Sequence, residues 1–268
     1  MRQEYENEIR KQPKIKRVYN NFKAAEYEAE FALHRQLLAE AKKLLDTERK
    51  IKSWHNAAID LLFVRAFDAF SSILLLCENG YGTDAFILLR SLFINFIYCK
   101  HIMTGDKDEL GLRFIRYEKV VAKKLYATPA EDNMYYEKYK EILDFYEDEH
   151  KKFCDDYSFN EKNKINLREW TGKTLRDLSI MVDEKEHYDT VFFVTSAAAH
   201  VNSFSLSLAL APEAKDYESD VGPSDREIKK SLFIAQGYFI DILKFWAKSF
   251  NVKIDANAYI EKLAKRNN

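Results

Sequence analysis

Two groups of residues in this 268-residue chain place polar chemistry inside otherwise apolar sequence. The first is Arg90, in the run Ala85-Phe-Ile-Leu-Leu-Arg90-Ser-Leu-Phe-Ile-Asn-Phe-Ile-Tyr98. A guanidinium stays charged at any physiological pH, so among Leu88, Leu89, Leu92 and Phe93 it needs an anionic partner. Asp84 lies too far along the same helix to reach it easily, whereas Asp68 or Asp60 on an antiparallel neighbour would meet it across the interface. Two readings stand side by side: an ion pair that fixes helix register, or an anion-binding arginine facing a cleft. The second group is Tyr188-Asp-Thr-Val-Phe192-Phe-Val-Thr-Ser196-Ala-Ala-Ala-His200-Val-Asn202. Read as one helix, Tyr188, Phe192, Ser196 and His200 recur every fourth residue and share a face, so the Ser196 hydroxyl, one turn before the imidazole, is placed to orient it. His200 is then either a satisfied core residue or an acid–base group.

Arg90, His200 and Ser196 are thus the catalytic candidates, and Asp84, Tyr188 and Asn202 the candidates for substrate contact. Cys99-Lys100-His101 is too sparse for a metal site, and Tyr135, Tyr136 and Tyr139 read as a packing stripe. No GxxxxGK[ST], GxGxxG, HExxH, calcium-loop or GxSxG pattern occurs, so neither a cofactor nor a metal is expected.

The elements that must position these groups are helices. Gly numbers 7 and Pro 4, far below the usual share of about 7% and 5%, so the punctuation of β-rich chains is scarce. The pattern predicts an all-α, up-and-down helical bundle with additional peripheral helices. Residues 1–52 form an amino-terminal amphipathic arm packed on the bundle, and 53–268 a single bundle domain. Within the arm, 18–52 is one long helix with a narrow apolar stripe of Phe22, Tyr27, Phe31, Leu38, Leu45 and Ile51. Ser53 caps a helix running to Glu78, and Thr83, after Asn79-Gly80-Tyr81-Gly82, caps an antiparallel one running to about Met103. Further helices are expected over about 107–127, 131–156, 170–181, 185–211, from Ser224 to Phe250, and from Asp255.

Composition bounds the rest. Hydrophobic residues make up 47% and charged residues 32%, enough for a sizeable core and a solvated surface. A net charge of -1 argues against a surface built wholly for nucleic acid or anionic lipid. Charge is uneven, with 13 Lys/Arg against 9 Asp/Glu in 1–53 and 10 Asp/Glu against 4 Lys/Arg in 131–156. Three widely spaced cysteines fit a reducing compartment, and the polar start is no signal peptide, so a cytoplasmic location is expected. The apolar stretches 54–77 and 85–103 contain charges that are costly in lipid, so they read as core helices and no membrane partner is expected.

Gly82-Thr-Asp84-Ala-Phe-Ile-Leu-Leu-Arg90-Ser-Leu-Phe, then Trp170-Thr-Gly172-Lys173, then Tyr188 with Ser196-Ala-Ala-Ala-His200, resemble in order and spacing a widespread bacterial family of helical proteins known as a domain of unknown function. That family usually has an acidic residue four positions after the arginine, where this chain has Ile94 and then Asn95. Its members look distantly like HEPN bundles, and the Arg49 to His55 interval matches the RxxxxxH form of the HEPN ribonuclease motif. The resemblance implies an RNA-acting protein of the toxin or phage-defence kind, with Arg90 and His200 converging from different helices. The competing reading is a non-enzymatic interaction protein, a homodimer or complex subunit, in which both residues lock the core. RNA and a second copy or another protein are the expected partners. An aromatic-lined bundle holding a small apolar ligand is a third reading.

Overall fold

The computed structural model describes residues 16–18, 22–126, 136–159, 169–200, 218–220 and 222–254. They form an all-α bundle with helices α1 (Glu28–Leu45), α2 (Trp54–Glu78), α3 (Gly82–Thr104), α4 (Lys107–Tyr126), α5 (Tyr136–Asp156) and α6 (Leu175–Met181). A single turn α7 (Lys185–His187), a π-helical segment Tyr188–Phe192, α8 (Phe193–Ala199) and the long α9 (Ile228–Phe250) complete it. Two three-residue strands, β1 (Lys16–Val18) and β2 (Glu218–Asp220), pair in parallel, an addition that the helical pattern of the sequence does not announce.

Helices α2, α3 and α9 pack on one another, and their apolar residues supply most of the core. Its centre is aromatic: Phe70 stacks on Phe239 at 4.6 Å, and Phe63 lies between Phe239 and Trp246. Rings of this size bury about 150–250 Å² each, so these four contribute a large share of apolar area at the centre of the core. Helix α4 packs on α2, α5 on α4, and α1 along the outside of α2. Helix α3 is long and apolar enough to span a membrane, but more than half of that stretch is buried within the bundle, as expected of a core helix.

The start of α2 follows the sequence expectation. Ser53 Oγ accepts from the Asn56 N–H at 3.3 Å, while the Asp108 carboxylate on α4 accepts from the N–H groups of Trp54 and His55 at 2.7 and 3.3 Å. Three of the four unpaired donors of the first turn are thereby satisfied. Gly111 lets α4 come this close, since a Cβ there would stand 2.6 Å from His55 Cα.

Elsewhere the boundaries move. The arm helix is shorter than 18–52: a 3₁₀ turn at Ala24–Tyr27 leads into α1, which stops at Leu45 because Arg49 folds back and donates to the carbonyls of Leu44 and Thr47. Helix α3 starts at Gly82 with no side-chain cap from Thr83. Its amino terminus is held by the lead-in to α9, where Ser224 N–H donates to Gly80 O at 2.8 Å and Ser231 Oγ to Gly82 O at 3.1 Å. Ser224 is thus used in this junction and caps no helix; α9 begins at Ile228 after Glu227 turns left-handed. Trp170–Lys173 form a turn, and α6 starts only at Leu175, where Thr174 and Asp177 make a reciprocal capping box. The helix expected over 185–211 changes to π-helical winding at Tyr188 and ends at Ala199. The terminal helix from Asp255 and the stretch 201–217 lie outside the described residues.

Candidate functional site

Arg90 sits on α3 between the fully buried Leu89 and Leu92 and is itself half-buried. It does not pair with Asp68, whose carboxylate is exposed and stands 3.8 Å from Arg65 one turn away on the same helix. Nor does it pair with Asp60, which accepts from the Trp246 indole N–H at 2.9 Å. The expected register-fixing ion pair is therefore absent. Instead the guanidinium lies over the Phe192 ring at 5.3 Å, within cation–π range. Asp84 lies exposed in the first turn of α3, about 9 Å along the axis. Among the described residues no carboxylate is paired with Arg90.

The wall opposite Arg90 is the π-helical segment. Winding from i→i+4 to i→i+5 inserts an extra residue per turn and is frequent at functional sites. Tyr188 stacks on Phe192 at 5.0 Å, and Phe192 packs on Phe93 of α3 at 5.6 Å. The acids nearby already have partners. Glu184 pairs with Lys100 of α3 and with His187 Nδ1 at 2.9 Å, and Asp189 pairs with Lys185 and stands 4.0 Å from Arg176. Of these pairs, the one between Glu184 and Lys100 ties the segment to α3.

Ser196 follows Phe192 on α8, which packs on α3. Its Oγ is buried and has no hydrogen-bond partner among the described residues. It therefore does not orient His200, contrary to the four-residue spacing. His200 lies just past the helix end, extended at ψ 137° and exposed, so it leaves the face shared by Tyr188, Phe192 and Ser196. Asn202 lies outside the described residues. The structure thus brings together Arg90, Phe192 and Tyr188, leaves His200 exposed just past the end of α8, and keeps Asp84 apart. Phe192 as the platform for Arg90 was not foreseen; the only hint was an aromatic residue on the face that also carries Ser196.

The Arg49 to His55 interval turns out to be structural. Arg49 lies over Trp246 at 4.3 Å. His55 Nδ1 meets Ser53 Oγ at 2.9 Å and Nε2 meets Asn56 Nδ2 at 3.3 Å, while that amide also donates to Ser249 O at 2.9 Å. Since Nδ2 can only donate, Nε2 accepts in this contact and Nδ1 faces the Ser53 hydroxyl. Both nitrogens are spent inside the fold.

Trp170 is structural as well, buried among Tyr98, His101 and Phe114, with its carbonyl accepting from Arg113 Nε at 2.8 Å. Burial pushes the Cys99 thiol far up, Lys100 is paired with Glu184, and His101 packs on Trp170, so these three neighbours serve three separate contacts. Among the described residues no group of three His, Cys, Asp or Glu could hold a metal ion. The side chains of Tyr135, Tyr136 and Tyr139 lie outside the described residues.

Fold and site together define an all-α bundle protein in which a helix interrupted by π winding packs an aromatic ring against an arginine that has no carboxylate partner among the described residues. The chain belongs to the family of unknown function DUF5677, which matches residues 56–217, a span that includes Arg90, the π segment, Ser196 and His200. No curated protein and no solved structure matches the chain.

Proposed function

We propose that this protein is a HEPN-like, RNA-acting protein whose Arg90 holds a backbone phosphate against α8. The observation that carries this reading is the half-buried guanidinium with no carboxylate partner among the described residues, its Cζ 5.3 Å from the centre of the Phe192 ring. A planar five-donor fork of this kind suits a phosphate, which it can engage through two parallel hydrogen bonds. His200, exposed just past the end of α8, is the acid or base of cleavage in this reading, and its exposure supports that role. The exposure of His200 and the missing ion pair of Arg90 both speak for this reading over the one in which the two residues lock a sealed core.

The test separates binding from cleavage. Purified protein is incubated with total RNA, and its affinity for a labelled single-stranded oligoribonucleotide is read by fluorescence anisotropy, beside Arg90→Ala and His200→Ala. Arg90→Ala is expected to lose cleavage and to weaken binding roughly tenfold or more, the loss of about 1.4 kcal/mol or more of charge-assisted hydrogen bonding. His200→Ala is expected to keep binding and lose cleavage. Binding unchanged in folded Arg90→Ala would sink the phosphate role. Cleavage absent from wild type, with binding intact, would leave a non-enzymatic RNA binder.

A further inference from the structure

Helix α2 is a core helix, yet it keeps one continuous face in solvent. Trp54, Leu61, Val64 and Leu75 are 48%, 53%, 38% and 61% exposed, and Arg65, Asp68 and Ser72 share the same side. Trp54, Leu61, Asp68 and Leu75 fall at seven-residue intervals, with Ala57, Val64 and Ser71 three positions after the first three of them. A strict seven-residue repeat stays in line with a partner helix along its whole length, whereas an incidental apolar surface drifts away. Apolar side chains in such a row are unusual on the solvent side of a bundle and mark an interaction surface.

We propose that this face of α2 is the interface of a homodimer, in which two copies of the helix pack antiparallel about a two-fold axis passing between residues 66 and 67. The occupant is a second copy because the face is complementary to itself. Arg65 and Asp68 are the only exposed charged side chains of α2, and they flank that axis symmetrically. The two-fold places Arg65 of each copy opposite Asp68 of the other, giving two reciprocal ion pairs across an isologous contact. The same operation sets large against small: Leu61 meets the level of Ser71 and Ser72, and Leu75 that of the half-buried Ala57. One axis therefore satisfies charge and shape together, which a partner of unrelated sequence would have to match by separate design.

The experiment is sedimentation equilibrium of the full chain across micromolar concentrations, for wild type and for Leu61→Glu/Leu75→Glu. Both leucines are exposed in the monomer, so the double variant should keep its circular dichroism and melting temperature. Wild type is expected to be dimeric, and the double variant monomeric, with dissociation raised roughly tenfold or more. Independently, Arg65→Asp and Asp68→Arg should each weaken the dimer, and the two combined should restore it. The register is checked with a short bismaleimide: a mixture of Leu61→Cys and Ser72→Cys proteins should cross-link between copies faster than either alone, with no competition from the buried Cys77, Cys99 and Cys154. A monomeric wild type overturns the proposal. So does a dimer that survives Leu61→Glu/Leu75→Glu, a charge exchange that restores nothing, or cross-linking that is fastest for Leu61→Cys alone.

Discussion

Ser196 carries a cost that the fold alone does not repay. A buried hydroxyl without a partner forfeits about 1–3 kcal/mol of solvation, so Ser196→Ala should leave the free protein equally stable or stabilise it by about 1 kcal/mol. The same change, read by anisotropy with the oligoribonucleotide, tests whether Ser196 belongs to the proposed phosphate site, in which case binding weakens. Chemical denaturation and anisotropy on the one variant decide the matter: a loss of stability above about 1 kcal/mol would mean that the hydroxyl serves the fold and not a ligand. The candidate site was legible in the sequence only up to this kind of question. A guanidinium among leucines announces that it needs an anion, and that expectation carries over to Arg90. Which anion it meets depends on geometry across helices. Asp68 is taken by Arg65 one turn away, and Asp60 by the indole of Trp246 from a helix nearly two hundred residues on. His200 leaves its predicted face for a different reason: α8 ends at Ala199 and His200 is extended at ψ 137°, so the four-residue register on which its face assignment rests stops one residue short of it.

Helix ends show the same division between local and distant causes. Ser53 caps α2 as its sequence context dictates, because the donor it satisfies is three residues away. Thr83 and Ser224 do not cap, because the amino terminus of α3 is set by its junction with α9, which no local pattern encodes. Gly82 is the point of closest approach: an added Cβ would fall on the carbonyl oxygen of Arg226 and stand 2.7 Å from the Ile228 N–H. Neither atom belongs to a flexible side chain, so the two helices would have to separate. Gly82→Ala is therefore expected to destabilise the protein by about 1–3 kcal/mol, despite the better helix propensity of alanine. Thermal melts of Gly82→Ala beside the milder control Thr83→Ala check this. Equal melting temperatures would show that the junction gives way freely and that α3 and α9 are coupled less tightly than their packing implies.

At the scale of the whole molecule, two buried histidines on different helices tie stability to pH. His34 is 2% exposed, and its environment favours the neutral ring chiefly through burial, against the carbonyl of Glu30 at 2.6 Å from Nδ1. His101 is 8% exposed, and burial first, then the charges of Arg113 and Lys173, push its pKa down as well. Both therefore lie below the unfolded value of 6.5. As pH falls through that value the unfolded chain takes up protons that the folded chain refuses, so the unfolded state binds more protons and stability drops. The contribution is complete above the unfolded pKa and is lost below it, at about 1.4 kcal/mol per pH unit for each histidine, until the folded-state pKa is passed. Carboxylates whose pKa is held down by hydrogen bonds, such as Asp177 by Thr174 and Asp189 by Lys185, lose their contribution in more acid solution, from their ordinary value of 3.8 downward. The window between pH 5 and 7 thus belongs to the histidines. Urea unfolding across that window should show stability falling toward pH 5, and His34→Gln/His101→Gln should flatten the slope while lowering the plateau. A slope unchanged in the double variant would assign the pH dependence to other groups and place both imidazoles in contact with water.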